Sequence, residues 1–273
     1  MPDLVSIPGV VLAALVEPHD ARRAELAAHF AIADSFATVQ ELLLSDVHVD
    51  GAVVLSPHVV HFDNAILLIR ARLHVLVEKP FVVSTAERDG PADARALAAA
   101  AAERGVRVLV NTPMNYGGAC ARAAAMVREG CVGEVEHVVC HIEGALRDLM
   151  SGEPLAGTEG ALSRPPPSTW ADPSRAGGYA WGQLSHLLSW VFAVSGLRVA
   201  RASCFMRTSP SSGVDVYDAA CFQCTNGATL SVSGVGALPK QCRGENSVRI
   251  FGTQGRIEFS NGHGDCSQHG AAT

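Results

Sequence analysis

Residues 10–111 alternate short β-branched apolar runs with longer, alanine-rich amphipathic stretches. This alternation predicts strands and helices in turn, which is typical of βαβ units around a parallel sheet. Strands are predicted at 10–16, 51–55, 73–77 and 106–110, with helices at Asp20–His29, 38–44, 61–71 and 92–104 between them. We therefore expect an α/β domain over residues 1–115.

Beyond residue 111 the pattern changes to strands joined by turns. A helix at 118–129 and an apolar helix at 184–194 accompany strands at 134–142, 200–205, 216–224, 229–235 and 248–259. Turn signals such as Asn226-Gly227 predict hairpins. Residues 116–273 are thus expected to form an α+β domain with a mostly antiparallel open sheet, a Pro-rich surface loop at 152–175 and a frayed tail at 260–273.

Composition excludes several classes of protein. The 27 acidic and 21 basic residues give a net charge of -6, which argues against a nucleic-acid partner. Every apolar run is shorter than the roughly 18 residues of a membrane helix, and Asp3 stands where a secretory signal is basic, so we expect a cytoplasmic protein. Cys221 and Cys224 form the C-x-x-C of a predicted strand; their side chains should point to opposite faces, and no metal site is expected.

Polar residues follow four predicted parallel strands, at the edge of the sheet where open α/β folds bind ligands. Each residue alone also fits a structural role: a charge flanking a helix, a turn, or a buried histidine at a helix start. The residues at these strand ends are Glu17, Ser56-Pro57 with His61, Glu78-Lys79-Pro80, and Asn111.

Together these motifs, with Gly177-Gly178 and His186 downstream, resemble the Gfo/Idh/MocA oxidoreductases, named for glucose-fructose oxidoreductase and inositol dehydrogenase. The resemblance runs from about residue 10 to residue 259, and Glu78-Lys79-Pro80 after a buried strand is its most specific element. It implies a Rossmann domain that binds NAD or NADP, and a second domain that supplies the substrate side and forms homo-oligomers through its open sheet.

The resemblance also implies roles for single residues. Lys79 would contact the reacting hydroxyl or carbonyl beside the nicotinamide, and His186 would donate or accept the proton. Glu17 favours NAD, because a carboxylate repels a 2′-phosphate, although Arg22 and Arg23 lie nearby. The residues expected to contact the cofactor are Glu17, Ser56, Pro57, His61, Glu78, Lys79, Pro80 and Asn111.

General chemistry supports Lys79 and His186 independently of the resemblance. Hydride transfer at a carbon that bears oxygen requires a proton to move at that oxygen, so a group of tunable pKa must lie within hydrogen-bond reach. Histidine titrates near neutrality, and burial brings a lysine toward it.

Two features depart from the family pattern. The sequence contains no G-x-G-x-x-G, and it starts near the family's second strand, so it is expected to be N-terminally truncated relative to the family and to lack the central strand of the parallel sheet. Such a chain should fold poorly or bind NAD weakly. In addition, Gly182 stands four residues before His186, where the family most often has aspartate, and Gln183 replaces a carboxylate only as a hydrogen-bonding group.

Two hypotheses follow from the sequence. The first is an NAD(P)-dependent oxidoreductase that acts on a sugar, polyol or related small molecule. The second is a non-catalytic or truncated relative that retains binding or dimerisation and has lost hydride chemistry. The retained Glu78-Lys79-Pro80 and His186 favour the first hypothesis, whereas the missing glycine loop and Gly182 favour the second.

Overall fold

The computed structural model describes residues 2–155, 157–158, 165–240, 242–260 and 266–270. The chain divides into two compact units, one made of Met1–Val82 with Asp89–Asn111 and the other of Val83–Arg88 with Thr112–Thr273. The main division falls between Asn111 and Thr112, whereas the sequence placed the domain boundary after residue 115.

The first unit contains five parallel strands. β1 (Ala14–Val16) pairs with β2 (Asp34–Phe36), and a separate sheet has the order β3 (Gly51–Val54), β4 (His74–Glu78) and β5 (Val108–Asn111). Both sheets are parallel, as the sequence predicts. In the part of the chain that the structure describes, no strand joins β1 to β3, which agrees with the expected absence of the central strand.

Two details of the first unit differ from the prediction. β1 is only three residues long, and Val10 and Val11, predicted to begin this strand, are exposed. β2 was not predicted, because its first two residues, Asp34 and Ser35, are polar and exposed and give no apolar run.

The first unit also contains α-helices. They are α1 (Pro2–Val5), α2 (Asp20–His29), α3 (Val39–Leu44), α4 (His61–Arg70) and α5 (Gly90–Arg104). The ends of α5 illustrate the local signals, since the Asp89 side chain accepts a hydrogen bond from the Ala92 amide and Gly105 ends the helix at a φ of 69°. Val77 of β4 is fully buried in the same core as Ile69 of α4 and Leu97 of α5, which fixes where β4 ends.

The second unit is a seven-stranded sheet in the order β12-β11-β10-β6-β9-β8-β7 with helices packed on one face. Among the described strand pairs of this sheet, only β6–β9 is parallel, so the predicted mostly antiparallel sheet is confirmed. The helices are α6 (Gly118–Arg128), α7 (Arg147–Met150), α8 (Pro167–Trp170) and α9 (Ser185–Ser195); the strands are β6 (Val135–Glu143), β7 (Val199–Thr208), β8 (Asp215–Cys224), β9 (Thr229–Val235), β10 (Asn246–Gly252), β11 (Gly255–Ser260) and β12 (Cys266–Gly270).

Two predictions for the second unit are wrong in detail. The single strand predicted at 248–259 is a hairpin, β10 and β11, that turns at Thr253-Gln254. The predicted frayed tail includes β12, which pairs with β11; residues 261–265 and 271–273 lie outside the described residues. Cys221 is exposed and Cys224 is buried on β8, so their predicted opposite orientation is confirmed. Among the described helices, none has the length and apolar character needed to cross a bilayer.

Candidate functional site

Glu78 and Asn111 meet at the carboxyl ends of neighbouring parallel strands. They are register partners in β4 and β5, and the Asn111 side-chain amide donates a hydrogen bond to Oε1 of Glu78. The other carboxylate oxygen, Oε2, accepts a hydrogen bond of 3.0 Å from the Lys79 backbone amide. The Glu78 carboxylate therefore holds the backbone from which the Lys79 side chain projects.

The Lys79 ammonium is partly withdrawn from water. Burial lowers its pKa, and the negative charge of neighbouring Glu78 opposes this shift. A lysine in this setting loses its proton more readily than a surface lysine, so it is better suited to exchange a proton with a bound hydroxyl or carbonyl. The peptide bond between Lys79 and Pro80 is cis.

His61 connects two of the predicted loops. Its side chain is fully buried at the start of α4, and its Nδ1 and Nε2 each lie 2.8 Å from a backbone carbonyl oxygen, that of Pro80 and that of Ser56 respectively. The Ser56 hydroxyl also accepts a hydrogen bond from the Asn64 side chain. His61 thus ties the loop after β3 to the loop after β4, and a direct cofactor contact by His61, Ser56 or Pro57 stays a prediction.

Glu17 lies directly after β1, where its backbone amide donates to the Phe36 carbonyl of β2. Its carboxylate accepts a hydrogen bond from the His19 amide and lies 3.4 Å from Nε of Arg22. Arg23 is engaged elsewhere, by the Asp20 carboxylate at 2.6 Å and the Glu17 carbonyl at 2.7 Å. The strand end therefore presents one partly neutralised carboxylate.

His186 belongs to the second unit, at the second position of α9. A π-helical turn, Ala180–Leu184, precedes α9 without a break, and the Ser185 hydroxyl donates to the Trp181 carbonyl across the junction. π-helical turns are rare and frequently occur at functional sites. The partly buried His186 is thus presented by a helix whose first turn is irregular.

The space beside Gly182 is filled by the indole of Trp170. A Cβ atom at position 182 would lie 2.0 Å from Cζ3 of Trp170 and less than 3.0 Å from two further ring atoms. The aspartate that the family most often carries here therefore has no room in this chain. While the Trp170 indole keeps this position, any side chain at residue 182 requires the ring or the backbone to shift.

Trp170 is held in place by the end of the Pro-rich loop. Its carbonyl accepts a hydrogen bond from the Gly178 amide, and a Cβ at Gly177 would lie within 2.8 Å of the carbonyls of Thr169, Trp170 and Asp172. The sequence pattern identified 152–175 only as a surface loop. Its final residues instead form α8 and a 3-10 turn at Pro173–Arg175, and Trp170 of α8 lies beside Gly182 of the π-helical turn that precedes α9.

The sequence analysis missed Trp170 and the carboxyl pair formed by the half-buried Asp215 and the buried Asp218. The signal for the carboxyl pair was an acidic residue at an inward position of a strand whose other inward residues are apolar. Trp170 had no comparable signal, because its contact with Gly182 depends on the folded loop. Among the described residues, no group of three or more histidine, cysteine, aspartate or glutamate side chains is arranged to hold a metal ion.

Comparisons with solved structures identify similar folds. The chain is 25% identical to GenD2 from gentamicin A biosynthesis in complex with NAD, with a TM-score of 0.75 over 94% of this chain and 67% of that chain. Levoglucosan dehydrogenase in complex with NADH and levoglucosan is 19% identical, with a TM-score of 0.77 over 96% and 68% of the two chains. The WlbA dehydrogenase from Bordetella pertussis, in complex with NADH and UDP-GlcNAcA, is 19% identical, with a TM-score of 0.76 over 96% and 70%.

Two family models together match most of the sequence. The first, the oxidoreductase family with an NAD-binding Rossmann fold, matches residues 3–112, and the second, the GFO/IDH/MocA C-terminal domain, matches residues 120–258. No curated protein matches the chain in sequence. The chain therefore belongs to the Gfo/Idh/MocA family of oxidoreductases.

Proposed function

We propose that this protein is an NAD(P)-dependent oxidoreductase that transfers hydride at a hydroxyl or carbonyl carbon of a sugar, polyol or related small molecule. The observation that carries the proposal is the hydrogen-bonded arrangement at the end of β4. There Asn111 holds the Glu78 carboxylate, and Glu78 holds the backbone amide of Lys79, whose pKa is lowered by burial. Family membership and the NAD-containing GenD2 structure support the same chemistry.

The residues at the ends of β1, β4 and β5 suit the two ends of a nicotinamide dinucleotide. The carboxylate of Glu17 is a hydrogen-bond acceptor suited to the adenosine ribose hydroxyls. Lys79 and Asn111 offer donors on the nicotinamide side. The bound dinucleotide would supply the hydride acceptor or donor, and the protein would supply positioning and proton transfer.

Lys79 would hold the reacting oxygen by a hydrogen bond. In the oxidation direction, this contact stabilises negative charge that develops on the oxygen as its proton leaves. His186 would be the group that accepts this proton or returns it during reduction, because an imidazole changes charge near neutral pH. Glu78 would act indirectly, by fixing the Lys79 backbone.

NAD is the favoured cofactor in this proposal. The Glu17 carboxylate disfavours the 2′-phosphate of NADP, and Arg22 and Arg23 are already paired with Glu17 and Asp20. Fluorescence titration of the purified chain with NADH and NADPH tests this choice. We expect the smaller dissociation constant for NADH; a smaller constant for NADPH would overturn the choice of cofactor, and no binding of either would overturn the proposed function.

A second candidate function is that of a binding or dimerising relative without hydride chemistry. The observation that favours it is the division of the parallel strands into a two-stranded sheet, β1–β2, and a three-stranded sheet, β3–β4–β5, with no described strand that joins them. In either case the open face of the second sheet is our proposed surface for a homo-oligomer, because Phe205 on the outermost strand is 83% exposed. Light scattering of the wild type and of Phe205→Ser tests the oligomer, and a monomeric wild type would contradict it.

A further inference from the structure

Asp218 is a carboxyl group buried inside the second unit. It occupies an inward position of β8 between Val216 and Ala220, and only 6% of the residue is exposed. Within the described residues, neither of its carboxylate oxygens accepts a hydrogen bond from an N–H or O–H donor. An ionised carboxylate without donors is strongly disfavoured in such a place. Asp218 must therefore either be protonated or interact with a neighbouring group that compensates its charge.

Asp215, on the same strand, interacts with Asp218. Side chains three residues apart on a regular strand point to opposite faces, but β8 carries a bulge here: Tyr217 pairs with Arg207 and Asp215 with Thr208. The bulge allows the two carboxyl groups to approach each other, and, after burial, the charge of Asp215 and a side-chain hydrogen bond with it raise the Asp218 pKa. Two carboxylates cannot hydrogen-bond to each other, because neither has a donor, so the contact needs a proton on one of them.

Asp215 also holds the chain that leads to His186. Its Oδ2 accepts a hydrogen bond of 2.7 Å from the Ala180 amide, the first residue of the π-helical turn. Its Oδ1 fills the space beside Gly178, where a Cβ atom would lie 2.0 Å away. Gly178 has a φ of +105°, a conformation that L side chains rarely adopt. The segment from 178 to 180 is therefore shaped around this carboxyl group.

We propose that Asp215 and Asp218 share one proton and that this pair anchors, through the Ala180 amide, the helical segment that presents His186. Asp215 and Asp218 are thus positioning residues. The shared proton is a statement about the second unit alone; the consequence for His186 rests on the function proposed above.

The groups around the pair do not compensate an ionised Asp218. Burial and the charge of Asp215 raise the pKa of Asp218 to about 7. Tyr179, fully buried on the segment packed against β8, has its pKa raised by burial and by the charges of Asp218 and Glu143, so it too is an acid kept neutral. The neighbours of Asp218 on the flanking strands are the uncharged Met206 and Gly234.

Three arginines lie on the packed elements α7 and β7. Arg201 of β7 is exposed and pairs in register with Gln223, and the other two face other groups. Arg147 of α7 donates a hydrogen bond to the Ala237 carbonyl. Arg207 of β7 lies over the ring of Tyr217, whose position in the strand alternates with that of Asp218. None of the three therefore supplies the donor that the Asp218 carboxylate would need.

The pair makes the stability of the second unit depend on pH. Because the pKa of Asp218 is higher in the folded state than its ordinary value of 3.8, the folded state binds more protons than the unfolded state between about pH 4 and pH 7. The folded state therefore loses stability as pH rises through this interval, and the loss is complete above about pH 7. The folded-to-unfolded ratio falls by up to about tenfold per pH unit within the interval.

The test compares urea unfolding of the wild type, Asp218→Asn and Asp148→Asn at several pH values from 5 to 8, followed by tryptophan fluorescence. We expect the wild type and the Asp148→Asn control to lose stability as pH rises. Asp218→Asn should show a flatter profile and exceed the wild type at pH 8, because its amide donates to Asp215 at every pH. An equally steep decline in Asp218→Asn would overturn the proposal.

A second measurement keeps the test independent of whether the variant folds. In the wild type labelled with carboxyl-¹³C aspartate, we expect one aspartate signal to titrate near pH 7. The signal of the Ala180 backbone amide, which donates to Asp215 and does not itself titrate, should shift with the same midpoint. Titration of every aspartate near pH 4 would refute the shared proton. A midpoint near 7 without a response at the Ala180 amide would refute the positioning role. Neither measurement requires cofactor binding or turnover. Failure of this proposal can therefore be distinguished from failure of the proposed function.

Discussion

The contact between Gly182 and Trp170 gives a prediction that separates steric packing from helix propensity. In an open helical position, alanine is favoured over glycine by about 1 kcal/mol. At position 182 the new Cβ would lie 2.0 Å from one ring atom and less than 3.0 Å from two others, closer than real Cβ contacts. The ring or the helix must move by more than an ångström, and overpacking of this kind costs about 1–3 kcal/mol or more.

We therefore expect Gly182→Ala to destabilise the second unit by about 2 kcal/mol in the wild-type background, taking the upper end of the steric cost less the helical gain. In a Trp170→Leu background the clash is removed, and the same substitution should be neutral or stabilising by up to about 1 kcal/mol. Gly182→Asp, which introduces the residue the family most often carries, should be at least as destabilising as alanine.

The assay is a double-mutant cycle from urea unfolding followed by tryptophan fluorescence. All three tryptophans, Trp170, Trp181 and Trp190, belong to the second unit, so their fluorescence reports its unfolding, and two of them remain in the Trp170→Leu background. A coupling energy near zero, with Gly182→Ala equally destabilising in both backgrounds, would refute the steric explanation.

Three further predictions concern the first unit. Glu78→Gln removes the negative charge that raises the Lys79 pKa. The ¹³C signal of reductively methylated Lys79 should therefore titrate at a lower pH than in the wild type, while the midpoint of the Lys240 signal stays unchanged. An unchanged Lys79 midpoint would contradict the electrostatic account. Glu17→Ala should raise the ratio of NADPH affinity to NADH affinity by about tenfold, or about 1.4 kcal/mol, in a fluorescence titration. The Glu25→Ala control should leave this ratio unchanged. An unchanged ratio in Glu17→Ala would contradict a cofactor contact by Glu17. His61→Phe removes the ring nitrogens that lie beside the Pro80 and Ser56 carbonyl oxygens, and with them the ring N–H donor. It should cost about 1–3 kcal/mol in unfolding followed by circular dichroism, against little change for the exposed His48→Phe; equal effects of the two would refute the bridging role.

The sequence was most informative where periodicity and caps act locally. A helix from Asp20 to about His29 was predicted and is present, although its N-cap is His19 and not the predicted Asp20, and α5 ends at the predicted Gly105. β2 was not predicted because its sequence, Asp34–Phe36, contains no apolar run and most of its residues are exposed. The hairpin of β10 and β11 was merged into one strand because Thr253-Gln254 is not a strong turn signal.

The candidate site divides in the same way. The rule that ligands bind where parallel strands end identified Glu78, Lys79 and Asn111 from the sequence. The parallel register of β4 and β5 brings Glu78 and Asn111 together. By contrast, the link from His61 to the Pro80 carbonyl spans 19 residues and depends on how two loops approach each other. The steric exclusion at Gly182 likewise depends on an indole twelve residues away, which no pattern in the sequence connects to it.

Deuteride transfer tests the proposed chemistry most directly. The chain would be incubated with NADH carrying deuterium at C4 and a panel of sugar ketones and aldehydes, and the products examined by mass spectrometry for deuterium at the new carbinol carbon. The account predicts deuterated product with the wild type and with the control Lys240→Met, which replaces an exposed lysine paired with Asp148. In Lys79→Met the rate of deuteride transfer should fall by about a hundredfold or more. Equal transfer by Lys79→Met and Lys240→Met would contradict the role of Lys79, and absence of transfer by the wild type to every member of the panel would contradict the proposed function.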